Sequence, residues 1–330
     1  MKASLGRAVR IGFLLLAVAL LALALRENGD EAYDAALDVG VAAALGSLVA
    51  VLVGLLASSM VWRALLADLG TDLPMRPALH VFFLGQLGKY VPGSVFAIAA
   101  QMELGRAHGA PRSRVGTASL LFMGVLVVAG LLTAAVALPL TSPEALQDFA
   151  WALAVLPIGL AVLHPPVLTR IVGVLLRVLR RDPLDRPLSR RGVATATGWA
   201  LVMWGAYGVH LWLLVRPQDT SGRADLLLLS LGAYALAWTA GFLFVVAPAG
   251  AGVREVALVA ALAPVLDPGP ALAVTVLSRV LMTLGDLAWG VVGGALHRRP
   301  GPRNGHDTGQ SGADVSTVTP VKQLGKAADA

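Results

Sequence analysis

The part of the sequence best suited to chemistry is residues 244–255, where an apolar run is broken and charge follows. The helix-breaking residues there are Pro248, Gly250 and Gly252. Arg254 and Glu255 then place a cation beside an anion. In hydrocarbon, backbone groups freed by Pro and Gly have no water to bond, and a mid-helix charge costs roughly 2.5–3.5 kcal/mol on insertion scales. We therefore expect this segment to line a protein-enclosed or wetted site for transport or lipid handling.

Arg254 has two interpretations. It could bind an anionic headgroup or phosphate at the start of a helix that begins near Val253, where free N–H groups also favour an anion. Alternatively, Arg254 and Glu255 neutralise other buried charges, and because adjacent helical residues point apart, each needs a partner elsewhere. The candidate partners are Glu103 and Asp286 for Arg254, and Arg279 for Glu255.

Two further places carry charge inside apolar sequence. Arg279 and Asp286 are seven residues apart, so they share a helix face that must look into the protein or a cavity. Lys89 and Tyr90 precede a second break, and Lys89 either faces a cavity or extends to the interface. The predicted substrate-binding residues are Lys89, Tyr90, Glu103, Arg254, Glu255, Arg279 and Asp286. The predicted helix breaks are Pro92, Gly93, Pro248, Gly250 and Gly252.

The composition indicates an all-α, polytopic helical membrane protein. Of the 330 residues 57% are hydrophobic and only 14% are charged, and the apolar runs have the length that crosses a bilayer. The net charge of +6 comes from basic residues in loops beside apolar spans, which indicates membrane topology and no nucleic-acid partner. There is no Cys, the six His lack metal-ligand spacing, and no dinucleotide or phosphate-loop motif is complete. We expect no enzyme, no cofactor and no metal site.

The pattern predicts about six full spans and two broken, re-entrant hairpins. The predicted spans are residues 9–25, 39–61, 115–138, 149–163, 193–215 and 271–296. The predicted hairpins are residues 78–90 with 94–104, and 226–247 with 255–266, the second being either re-entrant or two full spans. Trp62 and Arg63 are expected to anchor the second span at the interface. Residues 167–181 would place apolar residues on one side of a helix and Arg residues on the other. This pattern favours a helix that lies on the anionic inner leaflet over a solvated loop.

Charged loops predict the orientation. The basic N-terminus and the Arg-rich connectors are expected in the cytoplasm, and the acidic loop over residues 27–38 outside. The hairpins then open to opposite sides, which predicts two inverted halves, residues 39–138 and 193–296, within a transmembrane domain over residues 1–296. Residues 297–330 have no apolar periodicity and are expected to be a disordered cytoplasmic tail.

The chain resembles the transmembrane domain of the lysylphosphatidylglycerol synthase family. The resemblance lies in residues 87–93 (LGKYVPG), 247–255 (APAGAGVRE) and 277–279 (LSR), and extends over about residues 9–296. Ala249 and Ala251 depart from it, since relatives often have Gly there. The resemblance implies a lipid flippase, because in fused members this domain moves an aminoacylated lipid between leaflets. The synthase domain is not expected in this chain, so the resemblance does not imply lipid synthesis.

These observations predict a flippase or transporter in the cell membrane for an anionic or amphiphilic lipid, phospho- or polyprenyl-phosphate-linked. One alternative is a non-transporting membrane partner of a lipid-modifying or glycan-assembly enzyme such as a glycosyltransferase. Another is a small-solute secondary transporter. Membrane lipid is the expected partner, and the sequence leaves the transported molecule, the direction, the energy source and the oligomeric state open.

Overall fold

The computed structural model describes residues 30–90, 96–141, 147, 153–219, 222–243 and 252–297, which are mostly helical and contain no strand. The helices that form the bundle are α1 (Gly40–Asp68), α2 (Met75–Gln86), α3 (Phe96–Ala107), α4 (Arg112–Ala137), α5 (Val155–Leu163), α6 (Pro165–Val178), α7 (Arg190–Val215), α8 (Leu226–Leu243), α9 (Val253–Leu262) and α10 (Pro268–His297). A 3₁₀ turn, Leu87–Tyr90, follows α2. The all-α prediction is confirmed.

Five of these helices, α1, α4, α7, α8 and α10, are long and apolar enough to cross a membrane. A sixth crossing results if α5 and α6 count as one broken span. The predicted spans at 115–138, 193–215 and 271–296 therefore correspond to α4, α7 and α10. The predicted span at 9–25 and the predicted tail lie outside the described residues.

One end of the helix bundle, which we call the basic end, joins α1, α4 and α7. Arg114 at the start of α4 lies 3.0 Å from Asp185, and Arg186 donates to the carbonyl of Asp68 at 2.8 Å. Ser189, which caps α7, donates its backbone N–H to the Asp68 carboxylate at 2.9 Å. These contacts fix the Arg-rich connector against the ends of two spanning helices.

The opposite end, which we call the acidic end, contains residues 30–38. This stretch was expected to be a loop, but residues 30–38 are helical. Ala32 and Ala35 pack against Leu272 at the start of α10, and Gln218 after α7 donates to the Ala35 carbonyl at 2.7 Å. The segment forms a helix because its small residues supply an apolar face while its carboxylates point outward.

The first hairpin, α2 with α3, enters from the basic end as predicted. Its two arms pack together, and glycines allow the close approach. A Cβ on Gly85 would lie 2.2 Å from the Gln101 side chain, and one on Gly88 would lie 2.8 Å from the Ala97 backbone. At 1.5 Å per residue each arm is about 18 Å long, which is too short to cross a bilayer of about 30 Å. The sequence prediction of a re-entrant hairpin therefore holds for the described arms.

The second hairpin, α8 with α9, enters from the acidic end. The 10 residues of α9 extend only about 15 Å, and Arg254 near the start of α9 contacts Tyr234 near the middle of α8. Residues after α9 line a cavity together with Asp219 and Arg223, which precede α8. The hairpin therefore begins and ends at the same side; α8 is long enough to cross a membrane, whereas α9 is too short to do so.

Small residues bring the spanning helices close together. α1 packs along α7, and a Cβ on Gly54 would lie 2.4 Å from the Tyr207 ring. Trp62 was predicted to anchor this helix at the interface, but that prediction was wrong. Trp62 is fully buried and donates to the Ser119 hydroxyl at 3.1 Å, because α1 continues to Asp68, beyond the predicted end of the span.

Helices α5 and α6 meet at a bend of 77°. Leu168, Val172 and Leu176 of α6 are buried in the core, one helical turn apart. The remaining faces of α6 are exposed and divide into an apolar side and an Arg side. The exposed apolar residues are Val167, Ile171, Val174, Leu175 and Val178. The predicted amphipathic helix is therefore present and turns sharply away from the helix before it.

Candidate functional site

The candidate site is centred on the middle of α10. This helix has 30 residues, and Arg279 and Asp286 lie on either side of its midpoint. Their spacing of seven residues is two turns, or about 10 Å along the axis, so both side chains project from one face. Asp286 is 5% exposed, and a carboxylate buried to that extent needs a cation or hydrogen-bond donors beside it.

The end of the first hairpin supplies the partners of Asp286. The Lys89 ammonium lies 2.7 Å from Asp286 Oδ2, and the Tyr90 hydroxyl donates to the same oxygen at 2.6 Å. Both residues sit in the 3₁₀ turn that ends α2. Lys89 therefore faces the protein and Asp286 rather than extending freely to the interface. The predicted breaks Pro92 and Gly93 follow directly but lie outside the described residues.

The second hairpin reaches α10 two turns away. Glu255 Oε1 lies 2.7 Å from Arg279 Nε, so the predicted partnership of these two residues is confirmed. Glu255 Oε2 accepts the backbone N–H of Gly252 at 2.5 Å, which caps the start of α9. Gly252 has φ of +88°, a conformation that favours glycine, so the predicted helix break at Gly252 is present. The other predicted breaks, Pro248 and Gly250, lie outside the described residues.

Arg254 turns in the other direction from Glu255, into the bundle. It is 7% exposed, its Nη2 donates to the Tyr234 hydroxyl, and its guanidinium carbon lies 4.8 Å from the centre of the Tyr234 ring. Neither predicted carboxylate partner is beside it, since Asp286 pairs with Lys89 and Glu103 lies elsewhere. Within the described part of the chain, no carboxylate oxygen comes within 4.0 Å of Arg254.

Glu103 is not part of this cluster. It is exposed near the end of α3 and pairs with Arg106 at 2.9 Å and with Arg112. Hydrogen bonds from Arg112 and then Arg106 hold the pKa of Glu103 below its usual range. Glu103 was predicted from sequence as a partner of Arg254, but it lies on the arginine-rich surface of the basic end.

The six clustered residues carry unequal charge. Lys89, Arg254 and Arg279 are cations, whereas Glu255 and Asp286 are anions, which leaves one positive charge without a partner in the cluster. Arg279 and Asp286 project from one face of α10, so the ends of the two hairpins contact the same charged face. A polar region with excess positive charge at the centre of a membrane helix is suited to bind an anion.

An apolar stripe runs along α10 beside the charged face. Its residues follow helical spacing and are exposed, and they are Val276, Val280, Leu284, Leu287 and Val291. On the helix wheel the face with Arg279, Thr283 and Asp286 is directly adjacent to this stripe. Charged and lipid-facing surfaces are thus in immediate contact along α10.

Sequence reasoning assigned no role to four polar residues behind Arg254. Tyr234 binds its guanidinium, and the buried His210 contacts Ser47 and Ser278 on two other helices. A single His within an otherwise apolar span was a detectable signal, because ionisable residues in such spans rarely face lipid. Tyr234 gave no comparable signal, since tyrosine is common in membrane helices.

The sequence that builds this region matches a known family. A comparison with curated proteins returned no match. The family model described as the lysylphosphatidylglycerol synthase TM region matches residues 8–290. The match includes both described hairpins, the charged face of α10, the spanning helices α1, α4, α7 and α8, and α10 as far as Gly290. The chain is a multi-pass membrane protein, and it belongs to the family of the lysylphosphatidylglycerol synthase TM region.

Proposed function

We propose that this protein translocates an anionic lipid, phospho- or polyprenyl-phosphate-linked, between the leaflets of the cell membrane. The family ties the chain to lipid handling. The observation that carries the proposal is the buried guanidinium of Arg254, which has a tyrosine partner but no carboxylate within 4.0 Å in the described residues. A buried cation without a counter-ion is costly, and an anionic headgroup would supply the missing charge.

The surroundings of Arg254 favour the binding of an anionic ligand over that of a cationic one. Arg254 is the second residue of α9, where the first backbone N–H groups have no carbonyl partner within the helix. The neighbouring carboxylate of Glu255 is already engaged at both oxygens, by Gly252 and by Arg279. Glu255 therefore holds the hairpin in place, and Arg254 is the residue available to a headgroup.

The apolar stripe on α10 supports a lipid rather than a small solute. An amphiphile that places its headgroup at the charged face would lie with its chains along the adjacent exposed residues from Val276 to Val291. A small hydrophilic solute has no apolar part that could bind to these exposed apolar residues. The polar residues are near the centre of α10, so a headgroup bound there is midway between the two leaflets.

The test is leaflet exchange in reconstituted vesicles. Purified protein is incorporated into vesicles containing fluorescent phosphatidylglycerol, and dithionite then bleaches the label in the outer leaflet only. We expect wild type to expose the inner-leaflet label and Arg254→Ala to lose at least about tenfold in rate, because an ionic hydrogen bond contributes about 1.5–3 kcal/mol. Arg254→Lys keeps the charge and should lose less.

Two controls make the result specific. Arg170→Ala removes an arginine from the exposed side of α6 and should exchange phosphatidylglycerol at the wild-type rate. Fluorescent phosphatidylcholine, which has no net charge, should exchange more slowly than phosphatidylglycerol. If vesicles with and without protein exchange anionic phospholipid and polyprenyl phosphate equally, the protein is not a flippase.

A further inference from the structure

Helix α6 presents an apolar surface that the bundle does not cover. Its buried face is formed by Leu168, Val172 and Leu176, which belong to the core. At about 100° per residue, a second set of apolar residues is centred roughly 115° around the helix from that face. We call this set the apolar flank of α6, and it consists of Val167, Ile171, Val174, Leu175 and Val178. The bundle therefore buries one side of α6 and leaves the apolar flank exposed.

The side of α6 opposite the apolar flank contacts the connector at the basic end. The Thr169 hydroxyl accepts the backbone N–H of Leu188 at 3.1 Å, and the next residue, Ser189, is bonded to Asp68 at the end of α1. Thr169 lies about 180° around α6 from the centre of the apolar flank. Since the connector lies at one end of the bundle, the apolar flank points away from that end, toward the hydrocarbon around the spanning helices.

Arg170 and Arg177 lie along the border of the apolar flank. They are seven residues apart, so both project from one face of α6, on the side opposite the buried face. Helix α6 contains no Asp or Glu, and among the described residues no carboxylate oxygen is within 4.0 Å of either guanidinium. The Arg177 Nε donates to the carbonyl of Gly173 in the same helix at 3.3 Å. Two exposed cations without a carboxylate partner therefore stand beside exposed apolar residues.

These two features match the two parts of an anionic phospholipid. Hydrocarbon chains pack on exposed apolar residues, and a guanidinium binds a phosphate through two parallel hydrogen bonds. An acidic segment of a soluble protein would neutralise the arginines but leave the apolar flank uncovered. We propose that α6 is a surface site for anionic phospholipid in the leaflet at the basic end, with the phosphate at Arg170 and Arg177 and the chains along the apolar flank.

This site is separate from the proposed translocation site. Arg254 lies on α9, and Arg279 and Asp286 lie on α10, whereas α6 binds its lipid on the outer surface of the bundle. The α6 site selects which lipids surround the basic end and takes no part in their exchange between leaflets. The inference does not depend on the proposed function, so either can fail alone.

The first test measures where the apolar flank lies. Because the sequence contains no Cys, a single spin label can be attached at Ile171→Cys on the apolar flank or at Gly173→Cys, where a Cβ would meet no atom within 4 Å. Full-length protein in vesicles of phosphatidylglycerol and phosphatidylcholine is exposed to oxygen, which enters hydrocarbon, or to a nickel chelate, which stays in water. We expect oxygen to relax the label at Ile171→Cys more strongly than the chelate does, and the reverse at Gly173→Cys, which lies about 160° around the helix.

Two results of this test contradict the proposal. A label at Ile171→Cys that neither reagent reaches would show that protein, such as a second copy of the chain, covers the apolar flank. Stronger relaxation of that label by the chelate would show that water covers it.

The second test measures the choice of lipid. A fluorescent label at Ile171→Cys is quenched by brominated lipids that lie beside it, so titration with brominated phosphatidylglycerol and brominated phosphatidylcholine gives their relative affinities. We expect phosphatidylglycerol to bind more tightly, by about fivefold for each arginine near the headgroups. Arg170→Gln combined with Arg177→Gln should lower this preference at least about fivefold. Replacement of both by Lys keeps the charges and should keep most of the preference.

Arg216→Gln is the matched control for this test. Arg216 is exposed after α7 at the acidic end, with its guanidinium over the Trp212 ring, so its loss should leave the preference at α6 unchanged. The oxygen measurement, repeated on the double Gln variant, checks that α6 stays in place. Equal quenching by the two lipids with both arginines present, a preference that survives loss of both, or an equal loss in Arg216→Gln would overturn the proposal.

Discussion

Lys89 and Asp286 form an ion pair of 2.7 Å that joins the end of the first hairpin to the middle of α10. Asp286 is almost fully buried, whereas about a third of the Lys89 side chain is exposed. Loss of one side chain of the pair therefore has a different cost from loss of the other. Removal of the lysine leaves a buried carboxylate, while removal of the carboxylate leaves a lysine that can reach solvent or headgroups.

This asymmetry predicts the effect of each substitution. We expect Lys89→Met to lower the free energy of unfolding by about 3 kcal/mol, since it leaves a buried charge unpaired, and Asp286→Leu to have a smaller effect. The double variant should recover most of the loss because no charge remains unpaired. Unfolding in SDS titrations measures all three. Additive losses in the double variant would show that the two residues do not interact.

Glu255 makes two contacts, one with the Gly252 N–H and one with Arg279, and different substitutions remove one or both of them. Glu255→Gln keeps an acceptor for the Gly252 N–H and loses the charge opposite Arg279, whereas Glu255→Ala loses both. Since a helix cap contributes about 0.5–2 kcal/mol, we expect the Ala variant to be less stable than the Gln variant by that amount. SDS titration of the two variants provides the comparison. Equal stability would mean that the capping bond contributes nothing.

Gly252 should not tolerate a side chain. Its φ of +88° is strained for any other residue, so Gly252→Ala should lower stability by about 1–3 kcal/mol. Gly198 is the matched control, because it lies within α7 and a Cβ there would meet no atom within 4 Å. Gly198→Ala should be neutral or stabilising by up to about 1 kcal/mol. Melting temperatures that fall equally in both variants would contradict the strained geometry.

Asp225 gives a prediction of pH dependence outside the membrane-spanning helices. A hydrogen bond from Arg223, whose Nη2 is 2.5 Å away, holds the pKa of Asp225 below its usual value. A lowered folded pKa means that the contact stabilises the protein above the unfolded pKa of about 3.9 and is lost as the pH falls through the folded value. The difference in melting temperature between wild type and Asp225→Asn should therefore shrink from pH 7 to pH 3. A constant difference would contradict the shift.

The sequence predicted the elements that composition determines. Apolar length located α4, α7 and α10, and Pro and Gly located the two hairpins. Arg279 and Glu255 were paired correctly because only a few charges exist in apolar sequence, and a buried charge needs an opposite charge.

Errors arose where three-dimensional packing decided the outcome. Trp62 was placed at the interface from its position beside Arg63, but α1 extends further and buries it. Glu103 was expected near Arg254, yet it points to the arginines at the basic end. The contact of Arg254 with Tyr234 could not be predicted, because the relative depth of α8 and α9 depends on the turn between them.

The two ion pairs on α10 also constrain the length of the chain. Each residue added to or removed from a helix rotates everything beyond it by about 100°, so a single insertion between Arg279 and Asp286 would move one of them to another face. Lys89 and Glu255 could then not both keep their partners. The number of residues from Val280 to Gly285 is therefore fixed by the hairpins on either side.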